Sequence, residues 1–237
     1  MDWPGARWSR YEDPLTYLPR KAVQEFAKGR IIYGPKQRCD SLFVVILGRV
    51  KVSSMGDGGG QTIARIVRNE GLFGESCLIG EKVTSETASA LDTATLMSWT
   101  RSEIELQVER EPRLGIALAQ YMVRQCMELQ DRIESMAMHK TPGRVMVALL
   151  QLGEDLGTQM PDGVIRLASL THHTIAEFVG TSREIVTFQM NRLRRLGMLR
   201  YSRKFIDLYA PAIRGVLREQ GVRLAHDQTR AAHQATD

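Results

Sequence analysis

Residues 171–199 read THHTIAEFVGTSREIVTFQMNRLRRLGML, and this spacing predicts two short helices joined by a tight turn. Ala176 is small where the first helix must touch the second. Gly180 supplies the positive φ that such a turn needs, and the β-branched Val186 fills the angle between the helices. Thr171 and Ser182 stand at the N-cap positions, and Gly197 lies just past the second helix. With Ile175, Val179, Val186, Met190 and Leu193 turned inward, Arg183, Glu184, Thr187, Phe188 and Gln189 form the outward row.

The flanks sharpen this expectation. A Pro161-Asp162-Gly163 turn leads into a strand-like run at 164–167. After the helix pair, 198–201 and 205–209 alternate around the polar Ser202-Arg203-Lys204, so a β wing follows. Between 140 and 214 there are eleven Lys or Arg residues against six Asp or Glu, and the whole chain carries 32 against 27. A positive face gains affinity for nucleic acid by releasing condensed counterions. The outward row of the second helix suits base edges in a major groove, whereas His172, Thr181, Ser182 and Lys204 suit phosphates, and Thr171 and Arg203 are further DNA-binding candidates. Arg192, Arg194 and Arg195 are equally well read as a solvated helix end that complements the helix dipole.

A chain of 237 residues is long enough for one large or two modest domains. No apolar run approaches the roughly 20 residues that cross a bilayer, and the opening MDWPGARWSRYEDPL has no apolar signal core. Cys39, Cys77 and Cys126 are odd in number and widely spaced, so neither a disulfide framework nor an iron–sulfur motif can be drawn. These features predict a cytoplasmic protein with no membrane partner. The histidines are His139, His172, His173, His226 and His233, none of them in the N-terminal half, so a β-barrel metalloenzyme would lack its ligands and no metal site is expected.

From Gly29 onward the pattern changes to short β segments separated by glycine turns: 31–33, 42–47, 49–53, 62–67, 87–91 and 95–99. Residues 55–60, Met-Gly-Asp-Gly-Gly-Gly, read as a surface hairpin. The implied architecture is α+β: an N-terminal antiparallel β roll of the double-stranded β-helix or jelly-roll kind, a long helix, and a C-terminal winged helix-turn-helix. The expected boundaries are an arm over 1–20, the roll over 21–109, the helix over 110–139, the winged module over 140–215 and a tail over 216–237, whose last dozen residues should be poorly ordered. A hinge is expected at Thr141-Pro142-Gly143. On the long helix, Leu118, Met122, Gln125, Leu129, Ile133 and Met136 recur at spacings of four and three and predict the seam of a two-fold dimer. Additional apolar residues beside that seam call for a second partner, the helix's own β roll.

The order of these parts, with Leu42-Phe43-Val44-Val45-Ile46-Leu47-Gly48-Arg49-Val50-Lys51-Val52, Gly71-Leu72-Phe73-Gly74-Glu75, Thr141-Pro142-Gly143-Arg144, Pro161-Asp162-Gly163 and Gly180-Thr181-Ser182-Arg183-Glu184-Ile185-Val186, resembles the CRP/FNR family of bacterial transcription regulators over about 29–209. The resemblance implies a homodimer that binds a palindromic operator on double-stranded DNA, responds to a signal in the β roll and acts on transcription by RNA polymerase. It places an effector pocket at Gly74, Glu75, Thr84, Ser85, Leu129 and Gln130. In cyclic-AMP-binding members an Arg-Ser pair follows the Gly-Glu, the arginine pairing with the cyclic phosphate and the glutamate holding the ribose hydroxyl. Here Thr84-Ser85 stands in that place, and Leu129 and Gln130 replace hydroxyl-bearing adenine contacts. A buried phosphate without its guanidinium loses a charge-assisted bidentate partner, so cyclic AMP is not expected as the effector, with Lys82 as a weaker substitute cation. The cysteine cluster of the oxygen-sensing branch and the histidine of the haem branch, near Ser76, are also missing, so no cofactor is assigned and the small-molecule effector has no identity. Cys77 and Cys126 are read as small buried residues rather than a thiol switch. The alternative function is a ligand-binding regulatory module that works through protein contacts; no catalytic residues are expected.

Overall fold

The computed structural model describes residues 11–35, 39–56, 61–80 and 86–221. Residues 57–60 of the expected hairpin, Lys82, Thr84 and Ser85 of the expected pocket region, and the last dozen residues lie outside this set. Contacts divide the chain into two compact units, Met1–Leu129 and Gln130–Asp237.

The first unit opens with a single helical turn, α1 (Pro14–Tyr17), capped by Asp13 and begun by Pro14, whose missing amide costs nothing at a helix start. Eight strands follow: β1 (Gln24–Phe26), β2 (Ile31–Tyr33), β3 (Ser41–Leu47), β4 (Val50–Met55), β5 (Gln61–Val67), β6 (Leu72–Phe73), β7 (Glu86–Ala90) and β8 (Ala94–Thr100). They form two antiparallel sheets, ordered β1-β8-β3-β6 and β2-β7-β4-β5. Alternate side chains of the sheets point into a common core, where Leu42, Val44, Val50, Val52, Leu72, Phe73 and Leu96 are almost completely withdrawn from water. Stacked rings of Tyr33, Phe43 and Phe73 fill one end. The strands expected at six positions are present within one or two residues of their expected ends. Strands β1 and β6, of three and two residues, are too short to show a period and were not anticipated.

Helix α2 (Arg101–Arg110) starts at a capping box, with Thr100 accepting from the Glu103 amide while the Glu103 carboxylate accepts from the Thr100 amide. Helix α3 (Arg113–Met138) then runs 26 residues, within the expected 110–139, and its chain continues from the first unit into the second.

The second unit adds α4 (Thr141–Leu156), β9 (Thr158–Gln159), β10 (Val164–Ala168), α5 (His172–Val179), α6 (Arg183–Arg195), β11 (Leu199–Tyr201), β12 (Phe205–Tyr209) and α7 (Ala210–Glu219). The expected hinge at Thr141-Pro142-Gly143 is instead the first turn of α4: the proline sits where a helix tolerates it, and Gly143 is buried with its Cα side close to His139. Val145, Leu149 and Leu152 of α4 form much of this unit's core, together with Ile165, Leu167, Ile175, Val186 and Leu208.

Candidate DNA-reading face and sensor pocket

The turn between α5 and α6 is built as its residue types demand. The Thr171 hydroxyl accepts from the Thr174 amide at 3.0 Å, and Ser182 accepts from the Ile185 amide at 3.3 Å. Gly180 adopts φ 71° and closes α5 on the Ala176 carbonyl. Helix α6 ends in a Schellman motif, with Gly197 donating to the Arg194 carbonyl and Met198 to that of Leu193. Ile175, Ala176, Val179, Val186, Met190 and Leu193 are all buried.

Outward from this core, Arg183, Glu184 and Phe188 are exposed, Phe188 at 60%. Gln189 corrects the expected row: it is only 8% exposed, because it stands three residues after Val186 and four before Leu193 and so shares their inward face. Glu184 is held below the usual carboxylate range by its own backbone amide and then by the Ser182 hydroxyl, which keeps it an ionised acceptor. Thr187 is half-buried, its hydroxyl 2.9 Å from Nδ1 of His172. Burial, and then the Arg183 charge, lower the His172 pKa. The tautomer of the ring decides which of the two donates: the Thr187 hydroxyl to a bare Nδ1, or Nδ1–H to the hydroxyl.

The wing closes beside this face. Ser202 turns the chain by accepting from the amides of Lys204 and Phe205, leaving Arg203 and Lys204 exposed at the tip. A groove of about 760 Å³ runs between wing and helix pair, lined by Thr171, His172, Arg183, Tyr201, Ser202 and Arg203 among others. Tyr201 braces it, edge-on to His172 and donating to Asn191 at 3.1 Å.

Asp207 is the residue that sequence reasoning passed over in this module. In register it lies opposite both Arg166 and Arg200. Arg166 binds it through Nε and Nη2 at 2.7 and 2.9 Å, and Arg200 reaches it at 3.0 Å. The Arg166 hydrogen bond, against the opposing effect of burial, holds the carboxyl below its usual range. Two arginines of the basic excess are therefore committed to the sheet. An acid in the middle of the otherwise apolar Phe-Ile-Asp-Leu-Tyr run was the available signal.

In the first unit, Gly74 takes φ 84° and leads into a 3-10 turn, Glu75–Ile79, within which Cys77 is buried. Burial pushes the Cys77 thiol up to about 12, so it stays protonated. Cys126 corrects the expectation of a second buried thiol: it is exposed on α3. The Glu75 carboxylate is bound by the guanidinium of Arg65 from β5, whose other arm donates to Gln125 at 2.6 Å and lies 3.4 Å from the Tyr121 hydroxyl. Tyr121 in turn accepts from the Leu72 amide at 3.1 Å and donates to the Leu72 carbonyl at 2.7 Å. Burial works against the Arg65 charge, but Glu75, Tyr121 and Glu86 together outweigh it and the guanidinium stays firmly protonated. Burial first, moderated by Arg65, pushes the Tyr121 phenol up to about 12, so it is a neutral donor.

Two expectations about α3 change. Leu118 is buried in the core of the β unit, Met122 packs against that core, and Gln125 is turned to Arg65, so these three face their own roll rather than a seam. The other three residues of the expected seam, Leu129, Ile133 and Met136, are exposed, as are Ile116, Val123 and Met127. Leu129 and Gln130, expected at the pocket, face solvent in the single chain; they stand four and five residues beyond Gln125, about a turn too far along the helix.

A two-layered β roll followed by a winged helix-turn-helix defines a sensor joined to a DNA-binding module. A cyclic nucleotide-binding domain model matches residues 23–111, and a Crp-like helix-turn-helix domain model matches 143–212. The chain is 31% identical over 185 residues to the transcriptional regulator SdrP of Thermus thermophilus, covering 76% of this chain and 86% of that one. It is 25% identical over 183 residues to a CRP-like cAMP-activated global transcriptional regulator of Mycobacterium tuberculosis, covering 77% and 81%. The crystal structure of a CRP/FNR-family transcriptional regulator from Thermus thermophilus superposes with TM-score 0.68 at 27% identity, over 83% of this chain and 98% of that one. The chain belongs to the CRP/FNR family and is a DNA-binding transcriptional regulator rather than an enzyme. Among the described residues no helix is long and apolar enough to cross a membrane.

Proposed function

We propose that the protein works as a cytoplasmic homodimer on a palindromic operator, with α6 in the major groove and transcription by RNA polymerase as its output. The observation that carries this reading is the exposed Arg183, Glu184 and Phe188 on one face of a helix whose other face is core, beside a groove lined by the wing. Arg183 can donate twice to guanine O6 and N7, Glu184 can accept from a cytosine amino group, and Phe188 can pack on a thymine methyl. Thr171, His172, Thr181, Ser182, Thr187, Arg203 and Lys204 lie around that row as phosphate partners, which position the module without reading sequence. The dimer assignment draws on exposed apolar side chains of α3 that recur at helical spacing: Ile116, Val123 and Met127, seven and four residues apart, and Leu129, Ile133 and Met136, four and three apart. Two subunits related by a two-fold axis read two half-sites in opposite senses.

Binding-site selection from random duplexes with purified full-length protein tests the proposal. An enriched inverted repeat, with half-site centres about one helical turn apart, is expected. A direct repeat, a single half-site or no enrichment overturns it.

A further inference from the structure

A cyclic nucleotide brings a hydroxyl-bearing ribose and a phosphate anion, and it asks a pocket for a free carboxylate and a free cation. Among the described residues, the β roll of this chain offers neither at Glu75. Its carboxylate is already engaged by Arg65, and the pair is largely withdrawn from solvent, with 25% and 18% of the two side chains exposed. Arg65 has its other arm on Gln125 and Tyr121, so a phosphate could recruit it only by breaking both attachments. A second acid, Glu86, stands in the same field. Its carboxyl is pushed up by burial first and then by Glu75, which marks a site already rich in negative charge. The described residues of this pocket do not fit a cyclic nucleotide.

The same guanidinium joins three elements: β5, the turn that carries Glu75, and helix α3, which continues into the DNA-binding unit. We infer that Arg65 is the ligand-specificity determinant of this sensor, a built-in cation that takes up the pocket's polar contacts, excludes cyclic nucleotides and ties the roll to α3 without a small molecule. The DNA arm of the test rests on the operator-binding reading above.

Two measurements on the full-length protein test this. Calorimetric titration with cyclic AMP and with cyclic GMP needs no DNA; no binding heat is expected for either, and micromolar binding of either one overturns the inference. Fluorescence anisotropy on the selected operator should give an affinity that neither nucleotide changes. Arg65→Ala should weaken operator binding about 5- to 150-fold, the span of ordinary coupling between sites, while leaving the content of β structure unchanged. If Arg65→Ala does not fold, Gln125→Leu, which cuts only the helix end of the link, should show the weakening. Operator affinity that rises within that range on adding nucleotide, or that is indifferent to both substitutions, refutes the role of Arg65. Failure to enrich any duplex, with the calorimetry still silent, would sink the operator reading and leave the exclusion of nucleotides standing.

Discussion

Tyr121→Phe removes a single hydroxyl that serves two backbone groups and, more distantly at 3.4 Å, the Arg65 guanidinium. Strand β6 is the edge of its sheet, and its neighbouring bonds to β3 are made by Glu70 and Gly71 through Val45. Leu72 directs its amide and carbonyl to the other side, where both meet the Tyr121 hydroxyl. Leu72 is 0% and Tyr121 4% exposed, so water does not take over when the hydroxyl is removed. Phenylalanine keeps the ring and its packing, so the loss is that of two unsatisfied backbone groups rather than a cavity. At about 1–3 kcal/mol for each of the two unpaired buried groups, a destabilisation of roughly 2–6 kcal/mol is expected. Trp99, buried in the first unit, provides a local reporter, since the sequence from 130 onward contains no tryptophan. Urea unfolding followed by tryptophan emission should show the midpoint of that unit falling by about 1–3 M, for a slope of about 2 kcal/mol per molar. A shift under about 0.3 M with an unchanged slope would mean that Leu72 finds other partners, and the account of Tyr121 as the cover of a sheet edge would be wrong.

Arg183→Ala should relax one G·C position in each half-site, worth about 1–3 kcal/mol of discrimination, whereas Lys204→Ala should weaken all sequences alike and flatten the salt dependence by about one unit; a half-site logo indifferent to Arg183 would put α6 in the wrong register. Phe188→Arg should add a G·C preference beside the existing one and remove any thymine preference there, as read by repeated selection. Val123→Asp places a charge on the exposed apolar row of α3, where desolvating it costs several kcal/mol. Sedimentation should then show monomers, and an unchanged dimer would locate the interface elsewhere.

The helix pair was legible because its constraints are local: caps, a positive-φ glycine and a buried branched residue all fall within 171–199 and agree with one another. The seam of α3 was legible only as a periodicity. A helix that is apolar on two sides repeats at the same spacing on both, so sequence could not tell that Leu118 and Met122 belong to the roll while Val123 and Met127 do not. Gln189 misled for the opposite reason, as a polar side chain whose position on the helix, between Val186 and Leu193, overrides its chemistry. Arg65 was invisible because nothing near it in sequence is its partner. Glu75 lies ten residues on and Gln125 sixty, and only the folded roll brings them together. Asp207 could have been found from strand register, had the wing's pairing been drawn out.

Arg132 shows where an independent DNA-binding fragment has to begin. From the last turns of α3 its guanidinium donates to the Phe178 carbonyl and lies 4.4 Å over the Phe178 ring, at the C-terminal end of α5. A helix of eight residues has little stability of its own, and this cation meets the negative end of its dipole. A recombinant piece cut at the start of α4, the natural choice from the domain-model boundary at 143, would discard that contact and leave the first helix of the reading pair to fray. The cut belongs upstream of Arg132, inside what looks from sequence like someone else's helix.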